Sequence, residues 1–526
     1  MSRATSIHIK RWCILLHRWL GVGFCLLFAL WFLSGVVLMY FDYPRIQPEQ
    51  RFAHLAPIGG VALTPAEAFA RSGLGSPPLA ARLNMLGGRP VYRFHTPGRN
   101  QTAVYADDGA SVSPVPESLA RRMAAEFARL PASSATLVGP LEIEDQWTLN
   151  KTVRSLKPWL KFVFDDAAAT EVYVSQRTGE VLQATTRSSR MGAYLGAVIH
   201  WVYFTPLRAR TDLWRGVVIA VSAVGVVMCL AGIVVGLWLY SPSRRYRLRG
   251  MGSTAIPYVE MKRWHYVLGL GFGLFTFTWI LSGLFSMNPL HWSPESVTPA
   301  LTERIAGGEF RLDRFGLPRV PAGVREIEFV QFDGKPLVLA SFEINDSVLI
   351  DAAGRAFPAL PAGELERVIV SASGIGALRD AAWLTDYDAY YYDRQNRKPL
   401  PVLRLRFDDP NGTWLYADPR GGRIVAGFAR LNRIERWLYH GLHSLDFPWL
   451  YRQRPLWDVL VIALCTGCFV LSLTAVRIAI TRVRRAVTQA SRADPRPAMT
   501  SHPTRAASAP AESPAAAIRA EPRAGS

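Results

Sequence analysis

His17 to Gly35 reads HRWLGVGFCLLFALWFLSG, and 248 residues later His265 to Gly283 reads HYVLGLGFGLFTFTWILSG. Ten of the nineteen positions are identical without a gap. Both copies keep His, Gly at +4 and +6, Phe at +7, Trp at +14 and Ser-Gly at +17 and +18. About 20 mainly apolar residues, rising about 1.5 Å each, cross a hydrocarbon core about 30 Å thick. Each copy is therefore expected to be a membrane span that opens on a histidine. An ionisable side chain in such a position is costly enough to suggest a function by itself.

The chain has 526 residues, half of them hydrophobic, so several packed units are expected. Two further apolar stretches, Leu213 to Tyr240 and Leu456 to Ile478, bring the number of expected spans to four. The net charge is +19, and residues 1–18, 241–263 and 477–526 together hold +15 of it. Basic segments flanking one membrane face are the positive-inside pattern. Clusters such as Arg244, Arg245, Arg247 and Arg249 accordingly suit anionic lipid head groups, and nucleic acid is not an expected partner. All five cysteines lie in apolar segments, so no disulfide is expected in the exported parts. Cys465-x-x-Cys468, alone in an apolar helix, is read as packing.

The resulting plan is a tandem duplication. A cytoplasmic N-terminus (1–11) leads to a span (12–40), an exported α+β domain (41–190), an interfacial His-bearing segment (191–212) and a second span (213–240). After a basic cytoplasmic loop (241–263) come a third span (264–288), a second exported domain (289–430), a second interfacial segment (431–455) and a fourth span (456–480). A cytoplasmic tail (481–526), rich in Ala, Pro, Arg and Ser, is expected to be disordered. The exported halves repeat at an offset of 243: Asp145 matches Asp388, Phe164-Asp165-Asp166 matches Phe407-Asp408-Asp409, Tyr173 matches Tyr416, and Gly179 matches Gly422. His200 matches His443 and Trp214 matches Trp457 in the same register. Thr64-Pro65 reads as a helix start, and Leu160 to Phe164 with Glu171 to Ser175 as a strand pair.

Four histidines obey the duplication. His17 and His265 open the outgoing spans, and His200 and His443 precede the returning ones. Two histidines near each membrane face, one from each repeat, suit bis-histidine haem ligation. A porphyrin iron needs only two protein ligands, whereas a zinc or copper ion would want more nitrogen, sulfur or carboxylate donors than the spans supply. Gly21 and Gly269, one turn beyond the inner histidines, would clear room for the macrocycle; their alternative role is to let helices approach closely. Trp31 and Trp279 lie about 21 Å along the helix from those histidines, between the two sites or packed as core. His440, three residues before His443, is an alternate ligand, but its repeat partner is Ala197. His291 is a second alternate. The plain reading of each histidine is a hydrogen bond to an interfacial carbonyl. Arg154, Lys157, Lys161, Arg397 and Arg404 would suit an anionic chelate or a solvated sheet face.

His17-Arg18-Trp19-Leu20-Gly21 with Ser34-Gly35, the Trp147-Thr148 region, the Tyr173 to Gly179 hairpin and His443 to Trp457 resemble the PepSY-associated transmembrane proteins. The resemblance implies a bacterial inner-membrane protein with four helices and two α+β, PepSY-like periplasmic domains. It also implies b-type haem, here two, and reduction of a ferric-siderophore from Fe(III) to Fe(II) by an oxidoreductase. No nucleotide or flavin module is visible in the sequence, so the donor would be external, a quinol or a cytoplasmic reductase. Two other functions fit the same plan: a periplasmic binding or protease-regulating module on plain anchors, and a haem reductase acting on copper or another acceptor.

Overall fold

The computed structural model describes residues 3–248, 252–294 and 298–493. Four of its helices are long and apolar enough to cross a membrane: α1 (Arg3–Leu38), α2 (Thr211–Leu239), α3 (Glu260–Ser286) and α4 (Leu456–Ala493). The chain is a multi-pass membrane protein. One core joins the four helices, with Phe28, Trp31 and Phe32 of α1 against Met228 and Cys229 of α2, Trp279 and Ile280 of α3, and Trp457 and Cys468 of α4. All five cysteines are free, and four of them are buried.

One expectation needs correction. α4 continues to Ala493, so residues 481–493 are helical where a disordered tail was expected. The run Arg482 to Ala493 holds no Gly or Pro and is rich in Ala and Arg, both good helix formers. The rest of that tail lies outside the described residues.

Between the helices lie β1 (Ala80–Leu86), β2 (Arg89–Thr96), β3 (Asn100–Tyr105), β4 (Ala135–Leu141), β5 (Trp159–Phe164), β6 (Glu171–Ser175) and β7 (Val181–Thr185). A small hairpin, β8 (Tyr246–Leu248) and β9 (Gly252–Thr254), joins α2 to α3. The second half supplies β10 (Glu326–Phe332), β11 (Lys335–Glu343), β12 (Asp346–Asp351), β13 (Ala356–Phe357), β14 (Ala377–Leu384), β15 (Val402–Asp408), β16 (Trp414–Asp418) and β17 (Arg423–Phe428). The helix start read at Thr64 is a capping box with Glu67, and the helix is Pro65–Arg71.

β4 to β7 form one four-stranded antiparallel sheet and β14 to β17 another. The remaining strands make a single seven-stranded sheet in the order β13-β12-β11-β10-β1-β2-β3. The two halves, expected as separate exported domains, are thus joined edge to edge. β1 pairs antiparallel with β10, Ala81 opposite Phe329 and Leu83 opposite Ile327. The hairpin turns after Leu86 and Phe332 set these strands in equivalent registers. The pairing is therefore a pseudo-two-fold contact between the repeats' first strands, and it removes the edge that each alone would expose.

Both faces of this sheet are buried. On one, Leu83, Tyr92 and Phe94 share a core with Ile327, Phe329 and Ala340 of the second repeat. On the other, Leu86 and Val91 pack with Phe162 and the helix Glu117–Ala128, while Leu337 and Leu339 pack with Leu405 and the helix Ala362–Ser373. Alternation of one residue per face explains how Val91 and Tyr92 enter different cores.

A buried polar network sits where the repeats pair. Asn84 donates to Glu326 at 3.0 Å, Arg51 grips Glu326 with two bonds of 2.7 and 2.6 Å, and Arg93 donates to Asn84 at 3.0 Å and lies 3.5 Å from Glu180. Burial works against the Glu180 carboxylate, but Arg82, Arg93 and Arg51 outweigh it and hold the group down at about 2.

Candidate functional site

Before each returning helix the chain makes one π-helical turn, Tyr194–Val198 in the first repeat and Trp437–Gly441 in the second. Such wide turns are rare and gather at functional positions. Each leads directly into a duplicated histidine. The rings of His200 and His443 have their centroids 5.9 Å apart, at one end of the helix bundle.

Both are held alike. Nδ1 of His200 lies 3.1 Å from the Trp31 carbonyl and 3.3 Å from Ser34 Oγ. Nδ1 of His443 lies 3.1 Å from the Trp279 carbonyl and 3.1 Å from Ser282 Oγ. A Cβ on Gly35 would stand 3.3 Å from His200 Cε1, and one on Gly283 3.4 Å from His443 Cε1. The repeated Trp-x-x-Ser-Gly is thus a cradle, in which a helix carbonyl and a hydroxyl fix the ring and glycine admits it. Burial and the neighbouring His443 ring hold His200 down at about 4, and burial lowers His443, so both imidazoles are neutral at physiological pH.

The other pair stands at the far end of the bundle. His17 and His265 have ring centroids 6.2 Å apart and planes 30° apart. His17 Nδ1 lies 3.1 Å from the Met228 carbonyl, and a Cβ on Gly232 would stand only 2.5 Å from His17 Cε1. In the second repeat, Leu471 and Ala475 occupy the positions of Met228 and Gly232 at the 243-residue offset. There Thr474 Oγ donates to the Leu471 carbonyl and stands 3.0 Å from His265 Nδ1. A hydroxyl takes the place of the direct carbonyl contact.

These spacings bear on the haem expectation. A metal about 2 Å from each imidazole nitrogen, with about 1.2 Å from nitrogen to ring centre, sets the centroids about 6.4 Å apart. Both observed pairs lie near that span. With Nδ1 engaged, Nε2 of each ring has no hydrogen-bond partner among the described residues, and a hydrogen bond at one ring nitrogen is what orients an imidazole that ligates through the other. A Cβ on Gly21, Gly23 or Gly271 would meet nothing within 4 Å, and one on Gly269 only Leu471 at 4.0 Å. These glycines border open space and mediate no close helix contact. Among the described residues, no group of three or more His, Cys, Asp or Glu side chains is placed to hold a bare metal ion. The residues fit a haem at each end.

The alternates stand apart. His440 is exposed on the wall of a cavity of about 1310 Å³ that also contains His200 and His443. His291 is exposed on the turn after α3 and does not line that cavity. Trp31 and Trp279 line the cavity beside the pair that their own carbonyls hold, so they flank this site. Most of the basic residues considered for a chelate are held internally: Arg154 by Glu144 at 3.1 Å, Lys161 by Glu171 at 2.9 Å and Arg404 by Asp388 at 3.3 Å. Asp388 also accepts from Tyr416 at 2.8 Å, as Asp145 does from Tyr173 at 2.6 Å, which gives these matched residues a structural role.

The sequence reading did not single out Gly232 or Arg436. The first is matched by Ala475 in the second repeat, and the second stands where the first repeat has Ala193. Departure from the duplication was the available signal.

Four apolar helices in two repeats, two histidine pairs at opposite ends and antiparallel sheets between them define a class of duplicated membrane proteins. The chain matches the model of the PepSY-associated TM region over residues 14–311 and belongs to that family. No curated protein matches the chain.

Proposed function

We propose that this chain carries electrons across a bacterial inner membrane through two b-type haems and reduces a ferric-siderophore on the periplasmic side, with both termini in the cytoplasm. The observation that carries this reading is the pairing of all four duplicated histidines, one from each repeat, at both ends of the bundle. Bound haem would supply a one-electron redox centre held at His17 and His265 and another at His200 and His443.

The chain's own residues bind, orient and shield. The Met228 and Trp31 carbonyls, with the Ser34, Ser282 and Thr474 hydroxyls, fix the imidazoles by their Nδ1 atoms. Phe28, Trp31, Phe32 and Trp279 belong to the apolar core of the bundle, Trp31, Phe32 and Trp279 at the wall of the His200 cavity. The two sites are about 21 to 27 Å apart along α1, the rise from His17 to Trp31 and Gly35. The open cavity at the His200 end suits contact with an external acceptor. One electron delivered to chelated Fe(III) gives Fe(II), which oxygen-rich chelators hold less well, so the iron leaves. The electron comes from an external donor, a quinol or a cytoplasmic reductase.

The test is an absorption spectrum of the detergent-purified protein, which should carry two b-type haems per chain. His17→Ala or His265→Ala should remove one, and His200→Ala or His443→Ala the other. Protein that stays colourless after expression with ample haem sinks the reading. For the acceptor, dithionite-reduced protein should be re-oxidised anaerobically by ferric-siderophores; re-oxidation by Cu(II) and by no ferric complex would remove the iron assignment.

A further inference from the structure

The cavity around His200 and His443 is not two-fold symmetric. On the first-repeat side Ala193, Gly196 and Ala197 are buried, and a Cβ on Gly196 would press within 3.2 Å of the Leu38 amide. The second repeat places Arg436, Tyr439 and His440 at the same positions, and all three line the cavity.

Arg436 is the unusual one. It is 5 % exposed, its Nε donates to the Ala389 carbonyl at 2.8 Å, and Nη1 and Nη2 have no hydrogen-bond partner among the described residues. Its guanidinium lies over the Tyr392 and Trp437 rings, centroids 4.7 and 4.3 Å away. Those rings fix its plane but accept none of its hydrogen bonds. The nearest carboxylate is Asp446: its Oδ2 is taken by the Tyr392 hydroxyl at 2.6 Å and by Arg394 at 3.1 Å, while its Oδ1, itself without a hydrogen-bond partner among the described residues, stands 3.8 Å from Nη2, too far for a hydrogen bond. The other carboxylates on the cavity wall are engaged too: Asp393 by the Gln395 and Arg397 amides, Glu435 by the Ser293 hydroxyl and Asp42 by Arg45 at 3.9 Å. A buried guanidinium with two unmade prongs is costly, and a planar fork of this kind is matched by a carboxylate.

We propose that Arg436, backed by Arg394, is a carboxylate-binding subsite on the second-repeat wall of the cavity that His443 also lines. The carboxylate has two sources. One is a propionate of the haem proposed for this end, for which the inference rests on the haem reading; the other is a carboxylate of a free ligand entering the cavity.

The experiment compares wild-type full-length protein in detergent with Arg436→Gln, by redox titration of its absorption spectrum and by calorimetric titration with citrate. Loss of a cation near one iron favours its ferric form. For a propionate, Arg436→Gln lowers one of the two midpoint potentials and leaves the other in place. For a free ligand, both potentials stay and citrate affinity falls at least tenfold. If neither readout changes, Arg436 is only the partner of Asp446 and the proposal is overturned. Colourless protein removes the haem reading but not this test: citrate binding that depends on Arg436 then supports the subsite, and its absence overturns it. Should Arg436→Gln fail to fold, Arg436→Met, which removes the charge and the fork but keeps an unbranched side chain, replaces it, and wild-type behaviour of that variant in both titrations overturns the proposal.

Discussion

At Gly232 the space that a methyl group would occupy is already taken by the imidazole of His17, 2.5 Å from where a Cβ would stand. Glycine is required there by a neighbour, since its own backbone is ordinary helix. Gly232→Ala should therefore displace His17 from the Met228 carbonyl and, on the proposed haem reading, lower the haem content of the purified protein from about two per chain to about one. The His200 site, at the other end of the bundle, should stay loaded. Unchanged haem content, by pyridine haemochrome assay, would separate Gly232 from the ligand. The same argument at Gly35 and Gly283 is softer, because contacts of 3.3 and 3.4 Å yield to shifts of a few tenths of an ångström. Alanine at either position should weaken its site without abolishing it.

Among elements, β1 and β10 have most to lose from a single substitution. Their pairing aligns Asn84 with Glu326, and Arg51 closes on the same carboxylate. Removing one partner of such a buried pair leaves the other charge unsatisfied, so Glu326→Ala should destabilise the joined seven-stranded sheet by about 3–5 kcal/mol. Its thermal transition should fall accordingly, while a surface variant such as Lys335→Ala should leave it within about 0.5 kcal/mol. Glu180 predicts a pH dependence. Its folded-state value of about 2 lies below its ordinary 4.5, so it adds stability at higher pH that is lost as pH falls from about 4.5 towards 2. The shift corresponds to about 3 kcal/mol. Melting temperatures of the wild-type protein should drop in that window, and Glu180→Gln should start lower at neutral pH and show a shallower fall. Parallel pH profiles would show that the arginines around Glu180 do not discriminate its charge.

For the whole molecule, both histidine pairs and the central sheet are made only when the two repeats meet. A half-chain ending at residue 248 has His17 and His200 without their partners and β1 without β10. Expressed alone as a monomer it should purify without a chromophore and aggregate along the uncovered edge of β1. Co-expression with residues 252–526 should restore both. A monomeric half-chain with a b-type spectrum would contradict the inter-repeat pairing. Much of this plan was legible in the sequence, because the 248-residue and 243-residue registers are properties of the string. Apolar length marks the spans, and a short β-type run bounded by turn residues marks the strand read at Leu160 to Phe164. Histidines repeated in step with the helices mark themselves as candidates. Sequence could not reveal that the two exported halves share one sheet, since strand pairing between distant segments depends on which edges meet in space. Nor could it assign the Trp-x-x-Ser-Gly cradle, the gap at Gly232 or the unpaired fork of Arg436. Each is a relation between residues on different helices, and such relations exist only after the chain has packed.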